Sequence, residues 1–447
     1  MPICGNDCMY KAIRGEYVMI LKKLHIYNFK LFEDIELQFK PGFNLILGDN
    51  GVGKTTILEA ATVAASGFLA GMEDVTTRNI YKSDAHYKII KDNNGIPNKS
   101  YDYPTEIEST IFYNGTDYTW SRIKTNSRTS IYPKDILKVS RELINSTEDR
   151  ILPVLSYQSA SRQWVQARKD ANEKKRKQLH NRRCGYLGCL DKTANLAVVN
   201  NWCAQMEWSA LRMNNISENY RQFGEIVSKF MSIMNDGVKS EVIYQPNSET
   251  LLYYEDGEYK EIEDLSAGYQ SILNLILDLA YRMAILNPDE GENISKAEGI
   301  VFIDEIDSNL HPKWQWRIVE ALTTTFPNVQ FIAATHSPII VSSCKNASII
   351  SIDEKQHIRY IDDSYAFSVN EILRDMLGYY QRPVKIEDLI EKFNKNMDRD
   401  EYDEAKNVLA ELIRILGEKH PEVIALKSEY EIETEEHSCN SLKAPIE

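Results

Sequence analysis

The loop at residues 48–55, Gly-Asp-Asn-Gly-Val-Gly-Lys-Thr, matches the pattern G-x-x-x-x-G-K-[ST] at each fixed position. In this pattern the glycines let backbone N–H groups converge on phosphate oxygens, and the following helix adds the positive end of its dipole. Lys54 would reach the β- and γ-phosphates, and Thr55 would supply an oxygen to Mg²⁺. A chance match in an ordinary strand–turn–helix is the alternative. The pattern assigns nucleotide contacts to Gly48, Asp49, Asn50, Gly51, Val52, Gly53, Lys54, Thr55 and Thr56.

Two carboxylates, Asp304 and Glu305, directly follow the apolar run 300–303. A continuous apolar run indicates a strand buried on both faces of a mostly parallel sheet, and ligands of α/β proteins bind where such strands end. A carboxylate there is costly to bury unless it holds a metal or orients water. This is the pattern of a Walker B strand. We expect Asp304 to hold Mg²⁺ through water and Glu305 to orient or deprotonate the attacking water.

A third stretch, Leu265-Ser266-Ala267-Gly268, precedes the apolar run 272–286. Ser266 could be a simple helix N-cap. Leu-Ser-x-Gly before a long helix also resembles the signature motif of ABC-type ATPases, and it stands in the right order between the other two motifs. The resemblance implies that Ser266 and Gly268 meet the γ-phosphate held by a partner protomer. It also places Asp307 in the D-loop of this family, in contact with the nucleotide.

Two further polar residues follow runs that predict buried strands. His336 follows the run 329–334 and is placed to sense the γ-phosphate, although a lone histidine can also be structural. Gln158 follows the run 151–157 and could contact both Mg²⁺ and the attacking water, or could be a surface-loop residue. The predicted catalytic residues are Glu305, His336 and Lys54, and the predicted Mg²⁺ ligands are Thr55, Asp304 and Gln158.

Apolar periodicity predicts the elements that would hold these residues. Buried runs that end in polar residues are typical of the mostly parallel sheet of an α/β protein. The predicted strands cover 20–26, 33–39, 43–47, 107–113, 117–122, 151–157, 300–303 and 329–334, and the predicted helices cover 57–69, 195–235, 272–286, 313–325, 401–416 and 422–430.

Composition limits the class of protein. The chain has 447 residues, of which 43% are hydrophobic, and is typical of a soluble globular protein. No stretch approaches the roughly 18 apolar residues that a membrane span needs. Seven scattered cysteines indicate reduced thiols and a cytoplasmic protein. The pairs Cys4/Cys8 and Cys184/Cys189 lack the spacing and the histidine companions of a usual zinc site.

The charge is uneven along the chain. A net charge of −14 argues against a protein coated in nucleic acid. Between Arg162 and Arg183, however, nine Lys or Arg residues stand against two acids, a local charge of +7. This tract could contact DNA phosphates or could be a solvated helix face. Trp202 and Trp208, in the helical run that follows, favour packing over base stacking.

The order of the motifs, with Asn-Leu-His-Pro at 309–312 and Thr-His-Ser-Pro at 335–338, resembles the bacterial SMC/RecF-like branch of the ABC ATPases over residues 20–350. The phrases Leu-Pro-Val-Leu-Ser-Tyr at 152–157, Cys-Leu-Asp at 189–191 and Trp-Cys-Ala-Gln-Met-Glu at 202–207 resemble the ATPase subunits of Septu anti-phage systems. The signature has Ala267 where transporters have Gly, which is common in this branch. The branch leaves the role of Gln158 open.

This resemblance implies an α/β fold, an ABC-type P-loop NTPase head with a small β subdomain, a helical insertion and a C-terminal helical hairpin. The predicted segments are an N-terminal extension (1–18), a first ATPase lobe (19–160), a basic helical insertion (161–245), a second lobe (246–350) and an acidic helical C-terminal region (351–447). The last 14 residues, 434–447, are expected to fray.

The same resemblance implies ATP and Mg²⁺ as cofactors, and a homodimer or larger homo-oligomer with ATP at the seam. It implies a slow ATPase, without a nuclease site of its own, that controls an HNH nuclease acting on DNA in anti-phage defence. The alternative is a stand-alone RecF-like repair ATPase that binds DNA directly. A nuclease of the overcoming-lysogenisation-defect type would need a Toprim domain, for which the roughly 100 residues after His336 are too few. A transport ATPase would have a shorter spacing between Lys54 and Ser266.

Overall fold

The computed structural model describes residues 19–72, 77–92, 95–128, 151–160, 182–191, 196–361, 367–376 and 382–441, with a few single residues and pairs between them. The predicted extension 1–18, with Cys4 and Cys8, and almost all of the basic tract 162–183 lie outside the described residues. The chain divides into two compact units, Met1–Phe367 and Ser368–Glu447. Among the described residues, no helix combines the length and the apolar character needed to cross a membrane.

A six-stranded mixed sheet organises the first unit, with strand order β16-β15-β3-β14-β13-β9. Strands β9, β13, β14, β3 and β15 are parallel, and β16 closes one edge as an antiparallel strand. Four of the parallel strands are buried along their whole length, because their apolar runs face helices on both sides. The strands are β3 (Phe43–Leu47), β9 (Val154–Gln158), β13 (Gly299–Ile303), β14 (Val329–Thr335), β15 (Ser348–Ile352) and β16 (Ile358–Ile361).

A second, antiparallel sheet has the order β2-β1-β6-β7-β8. Its strand β6, which contains the predicted strand 107–113, alternates buried and half-buried residues with period two. The small β subdomain therefore contains β1 and β2 in addition to the predicted strands 107–113 and 117–122. The strands are β1 (Ile20–Phe29), β2 (Phe32–Gln38), β6 (Thr105–Tyr113), β7 (Thr116–Lys124) and β8 (Ser130–Ile131).

Helix α1 (Lys54–Leu69) lies between the two sheets, since it contacts β13 and β14 on one side and β1, β6 and β7 on the other. Its many alanines are buried and let both sheets approach closely. At Gly67 a Cβ atom would lie 2.4 Å from the Trp120 indole nitrogen, so only glycine fits there. The apolar run 57–69 is therefore the buried helix that the sequence predicted.

The remaining elements of the first unit surround this core. Strands β4 (Tyr87–Lys91) and β5 (Pro97–Tyr101) form an exposed hairpin. Strands β10 (Ser240–Gln245), β11 (Thr250–Glu255) and β12 (Glu258–Glu261) form an antiparallel meander. The helices are α2 (Leu196–Met213), α3 (Glu218–Met234), α4 (Ala267–Leu286), α5 (Pro312–Gln315), α6 (Ile318–Thr325) and α7 (Pro338–Ser343), with single 3₁₀ turns at Lys82–Asp84, Arg182–Tyr186, Ile262–Asp264 and Gly291–Lys296.

Two helix predictions differ from the structure in detail. The run 195–235 forms two helices, α2 and α3, rather than one. The predicted helix 313–325 is broken into α5 and α6 at residues 316–317. There Arg317 forms an ion pair with Asp236 and donates a hydrogen bond to the Ile233 carbonyl at 3.1 Å.

The second unit begins later than predicted. The sequence placed its start at 351, but β16 pairs with β15 and therefore keeps residues 351–361 in the main sheet. The unit contains a short helical segment (Val369–Glu371, continuing through Ile372–Met376) and the helices α8 (Val384–Met397), α9 (Tyr402–Leu416) and α10 (Pro421–Ser441). Helix α8 packs with the predicted hairpin α9–α10. Buried apolar residues of the three helices form one small core. Helix α10 continues to Ser441, within the segment 434–447 that was expected to fray, and the fraying stays a prediction.

Candidate nucleotide site

The phosphate loop leaves β3 and enters α1 at the carboxyl end of the parallel strands. Gly51 and Gly53 have φ values of 87° and 107°, a backbone region that favours glycine. A Cβ atom at Gly53 would lie 2.4 Å from the Phe32 ring, and one at Gly48 would lie 2.5 Å from the Ile352 carbonyl oxygen. These close approaches explain why the loop has glycine at positions 48 and 53, where a side chain would displace the backbone.

Lys54 opens helix α1 with its side chain turned back into the loop. Its Nζ donates hydrogen bonds to the carbonyl oxygens of Gly48 at 2.7 Å and Asp49 at 2.8 Å. Burial lowers the pKa of Lys54, and the Asp304 carboxylate opposes that shift. A partly desolvated ammonium gains more from an incoming phosphate than a hydrated one does. The geometry thus holds the Lys54 charge where the loop would enclose a phosphate chain.

Thr55 and Asp304 meet across the end of the sheet. The Thr55 hydroxyl lies 3.1 Å and 3.0 Å from the two Asp304 carboxylate oxygens. Asp304 is only 4% exposed, and its N–H donates to the Gln158 carbonyl at 2.8 Å. A hydroxyl and a carboxylate are hard oxygen donors, which suit Mg²⁺. In the described part of the chain, no group of three or more His, Cys, Asp or Glu could hold a metal. Mg²⁺ usually keeps several water ligands and binds substrate phosphates, which a site with two protein oxygens allows.

Glu305 follows Asp304 in a left-handed conformation, with φ of 44°. Such a conformation costs a non-glycine residue about 1–3 kcal/mol and is typical of functional positions. Backbone hydrogen bonds hold it in place, from the Ile306 N–H to the Ala334 carbonyl at 3.0 Å and from the Ser308 N–H to the Glu305 carbonyl at 2.9 Å. Glu305 lines the same cleft as Lys54, and so the structure brings this carboxylate to the phosphate end.

His336 leaves β14 beside Glu305 and also lines the cleft. Its Nε2 lies 3.4 Å from a carboxylate oxygen of Asp307, which is buried. The Thr335 hydroxyl donates to the other Asp307 oxygen. Asp307 is not among the residues that line the cleft of its own chain, and its predicted contact with a nucleotide stays a prediction. Its carboxylate instead holds Thr335 and His336.

Gln158 is buried, which excludes the surface-loop alternative. It pairs in register with Ile303, and neighbouring side chains alternate along a strand, so it faces the opposite side of the sheet from Asp304. Its Nε2 donates to Asp278 of helix α4 at 2.7 Å and to the Ser156 hydroxyl at 2.8 Å. The structure does not bring Gln158 to the cleft lining. Its Oε1 accepts no hydrogen bond from the described residues, and a Mg²⁺ contact of that atom stays a prediction.

The signature stretch, residues 265–268, differs from the phosphate loop in that it does not line the cleft. Ser266 occupies the N-cap position of α4, but its side chain makes no capping hydrogen bond, and the residue is exposed. A simple N-cap role therefore does not account for the Ser266 hydroxyl. A Cβ at Gly268 would lie 2.7 Å from the Asn309 carbonyl oxygen, so this glycine lets the start of α4 pack on the loop after Glu305. Neither residue lines the cleft of its own chain.

Sequence reasoning missed one wall of the cleft, which has a volume of about 890 Å³. This wall is made by the turn between β1 and β2, by the segment 82–86 that precedes β4, and by β4 itself. The only signal in the sequence was the alternation of apolar residues in a short polar segment. Its residues are Lys30, Leu31, Ser83, His86, Tyr87 and Ile89.

The family model described as AAA domain matches residues 23–276, more than half of the chain. The chain belongs to the AAA-domain family. The matched range begins in β1 and ends in α4, so it contains the phosphate loop and Ser266. The AAA-domain assignment agrees with the mixed α/β fold, in which a largely parallel sheet positions Lys54, Thr55 and Asp304.

Curated proteins similar to this AAA-domain chain include a retron ATPase and a Septu protein. Retron Vc95 probable ATPase from Vibrio cholerae serotype O1 biovar El Tor is 26% identical over 391 residues, which covers 75% of this chain and 73% of that protein. Septu protein PtuA from Bacillus thuringiensis is 25% identical over 397 residues, 86% of this chain and 90% of that protein. The solved SMC head domain from Thermotoga maritima aligns at 16% identity with a TM-score of 0.41, over 77% of this chain and 99% of that one. The chain thus resembles PtuA, as its motifs predicted.

Proposed function

We propose that the chain binds and hydrolyses ATP in a site that two copies complete, and that this ATPase regulates a partner nuclease in anti-phage defence. One observation carries the enzymatic part: Lys54, Thr55, Asp304, Glu305 and His336 line a single cleft at the carboxyl end of the parallel strands. Their chemistry is that of phosphoryl transfer, in which positioning and charge stabilisation supply the rate.

Each residue has a role that follows from its position. The loop amides and the Lys54 ammonium bind the phosphates, and a γ-phosphate oxygen would replace the carbonyls that Lys54 now contacts. Glu305 orients the attacking water and accepts its proton. His336, held by Asp307, stabilises charge at the γ-phosphate. Thr55 and Asp304 would hold Mg²⁺, which neutralises charge on the β- and γ-phosphate oxygens when bound.

The exposed Ser266 supports a site shared between two copies. Its hydroxyl is not used by its own helix, and it stands at the N-terminal end of α4, a 20-residue helix whose dipole favours an anion. In a two-fold dimer the same surface acts on both sides, so each Ser266 would close the cleft of the other chain. ATP would then favour the dimer, and hydrolysis would release it.

The biological setting rests on the relatives. A Septu protein and a retron ATPase both match most of this chain, so we propose a regulatory ATPase subunit with an HNH nuclease partner. The RecF-like alternative would require direct DNA binding through residues 162–183, and this stays a prediction. Co-purification with an HNH nuclease, followed by plasmid cleavage with and without ATP, separates the two. DNA binding by the chain alone, with no nuclease recruited, would favour the RecF-like function.

The enzymatic proposal is tested with Mg-ATP binding and phosphate release by the purified chain. Lys54→Ala should abolish both, since it removes the charge that the loop is built around. Lys355→Ala, which removes an exposed lysine outside the cleft, should change neither and serves as the matched control. A wild-type chain that neither binds nor hydrolyses Mg-ATP would refute the proposal.

A further inference from the structure

Helix α4, which starts directly after Ser266, carries an ion pair inside its buried part. Its residues from Ser271 to Leu286 are all buried, and most of them are apolar. Asp278 and Arg282 stand four residues apart in this stretch, at 4% and 5% exposure, and the Arg282 Nε donates to the Asp278 carboxylate at 2.8 Å. Burying two charges is costly unless further hydrogen bonds satisfy them. Two neighbouring elements supply those bonds.

Strand β9 supplies the partners of Asp278. One carboxylate oxygen accepts hydrogen bonds from the Ser156 hydroxyl at 3.0 Å and from the Gln158 Nε2 at 2.7 Å. The two donors are two residues apart and so lie on one face of the strand. Apolar contacts between a helix and a sheet have no preferred direction, whereas these hydrogen bonds require one rotation and one position of the helix. Asp278 thus fixes the register of α4 against β9.

The 3₁₀ turn at Arg182–Tyr186 and the residue after it supply the partners of Arg282. The guanidinium donates to the Gly185 carbonyl at 2.7 Å and to the Leu187 carbonyl at 3.2 Å. A Cβ atom at Gly185 would lie 2.5 Å from the Leu286 side chain, so glycine lets this turn pack directly on α4. One buried ion pair therefore bonds α4 to both β9 and the turn.

The register of α4 decides where Ser266 lies. The helix runs without interruption from Ala267 to Leu286, so a displacement at Asp278 is carried to its N-terminal end. Twelve residues separate Asp278 from Ser266, which is about 18 Å along a helix. A rotation or shift of α4 would therefore move the exposed Ser266 hydroxyl. Lys54 and Thr55 belong to α1 and would keep their places.

We propose that Asp278 and Arg282 are positioning residues of the ATPase reaction, which hold α4 in the register that places Ser266 for the cleft of a second copy. This inference rests on the proposed function, because Ser266 acts only if two copies share the site. The pair serves the half of the site that a chain donates, and not the half that the chain builds from its own phosphate loop. Gln158 is bonded to Asp278 but does not line the cleft of its own chain.

The double variant Asp278→Leu/Arg282→Met removes both charges and keeps similar side-chain volumes. Such a replacement often leaves stability unchanged, and thermal melting checks that the fold is retained. Mg-ATP affinity should stay within about twofold of the wild type. Phosphate release at saturating ATP should fall about tenfold or more, since charge stabilisation from the donated half is lost. Glu391→Leu/Lys395→Met removes an exposed pair with the same spacing in α8 and should change neither quantity.

A second variant covers the case in which the first does not fold. Ser156→Ala/Gln158→Leu keeps the buried ion pair and removes only the two donors from β9. It should also retain Mg-ATP affinity and release phosphate more slowly than the wild type. Where the first variant fails to fold, the experiments below use this one.

Mixing experiments identify which half of the site the pair serves. Lys54→Ala lacks a working phosphate loop, and Ser266→Arg blocks the donated half. Mixed in equal amounts with Lys54→Ala, the Asp278→Leu/Arg282→Met chain should raise phosphate release to about a quarter of the wild-type value, because half of the dimers would have one intact site. Mixed with Ser266→Arg it should show no such gain, since both changes fall in the same half.

Three results would overturn the inference. The first is a wild-type rate of phosphate release by the double variant. The second is recovery with Ser266→Arg instead of Lys54→Ala, which would place the effect of the pair in its own cleft. The third is recovery with neither, which would leave the pair a purely structural role. If Lys54→Ala and Ser266→Arg do not restore each other, the shared site of the proposed function is refuted instead, so the two failures are distinguishable.

Discussion

The two ends of the predicted nucleotide machinery differ in how complete they are within one chain. At the phosphate-loop end, Lys54, Thr55, Asp304, Glu305 and His336 converge on one cleft. At the signature end, Ser266 is exposed, and its hydroxyl does not cap its own helix. The first end is assembled because parallel strands deliver their following residues to one edge of the sheet. At the second end, neither Ser266 nor Gly268 is among the described residues that line the cleft, and the proposed site shared by two copies would bring them to a partner's cleft.

The largest effect should come from Glu305→Gln, which keeps the shape of the side chain but removes the base. We expect Mg-ATP binding to persist and phosphate release to fall by about 100-fold or more. The ATP-bound dimer should then persist, which light scattering after size exclusion would detect. Glu320→Gln, at an exposed position outside the cleft, should behave like the wild type. Hydrolysis at the normal rate by Glu305→Gln would show that Glu305 is not the base.

Mixing two inactive variants tests directly whether the phosphate-loop end and the signature end of one site come from different copies. Ser266→Arg and Lys54→Ala should each be inactive alone, because one blocks the donated half of the site and the other removes the phosphate-binding half. Mixed in equal amounts they should recover up to about a quarter of wild-type phosphate release, since half of the dimers would be mixed and each would have one intact site. Lys54→Ala mixed with Glu305→Gln should recover nothing, as both changes fall in the same half. If the first mixture stays inactive, the site is not shared in this way.

A smaller effect should distinguish the role of Asp307 from that of His336. His336→Ala should lower kcat about 10-fold to 100-fold, and Asp307→Asn only severalfold, because it acts through His336. The double variant should be no slower than His336→Ala alone, since residues that act as a unit are not additive. Additive losses in steady-state kcat would mean that Asp307 contacts the nucleotide by itself, as the sequence had predicted.

The smallest effect is expected at Gln158, whose amide nitrogen is bonded to Asp278 of the signature helix α4. Gln158→Ala should change Mg-ATP affinity by less than about twofold, because the side chain lies on the other face of the sheet from Asp304. Calorimetric titration would measure this. A tenfold weaker affinity that depends on Mg²⁺ would instead establish the predicted metal contact.

Much of the site was available from the sequence, since its motifs are local. The eight residues 48–55 predict a loop, a helix start and a phosphate-binding charge within one continuous stretch, and the structure has the loop and the helix start. The run 300–303 likewise predicts a buried strand ending in two carboxylates. The surroundings of Gln158 and Asp307 were harder to predict from the sequence. The sheet face on which Gln158 lies depends on strand register, and the partners of the Asp307 carboxylate depend on residues far away in the chain.

The sequence by itself determined which chemistry to propose: residue type and short spacing alone predict phosphate contacts from the loop glycines and Lys54, oxygen ligands in Thr55 and Asp304, and a base in Glu305. Only the tertiary structure decided which elements meet. It paired β1 and β2 within the antiparallel sheet, added β16 to the edge of the main sheet and brought β4 to the wall of the cleft. Those outcomes depend on strand pairing over long separations, for which no local pattern carries the information.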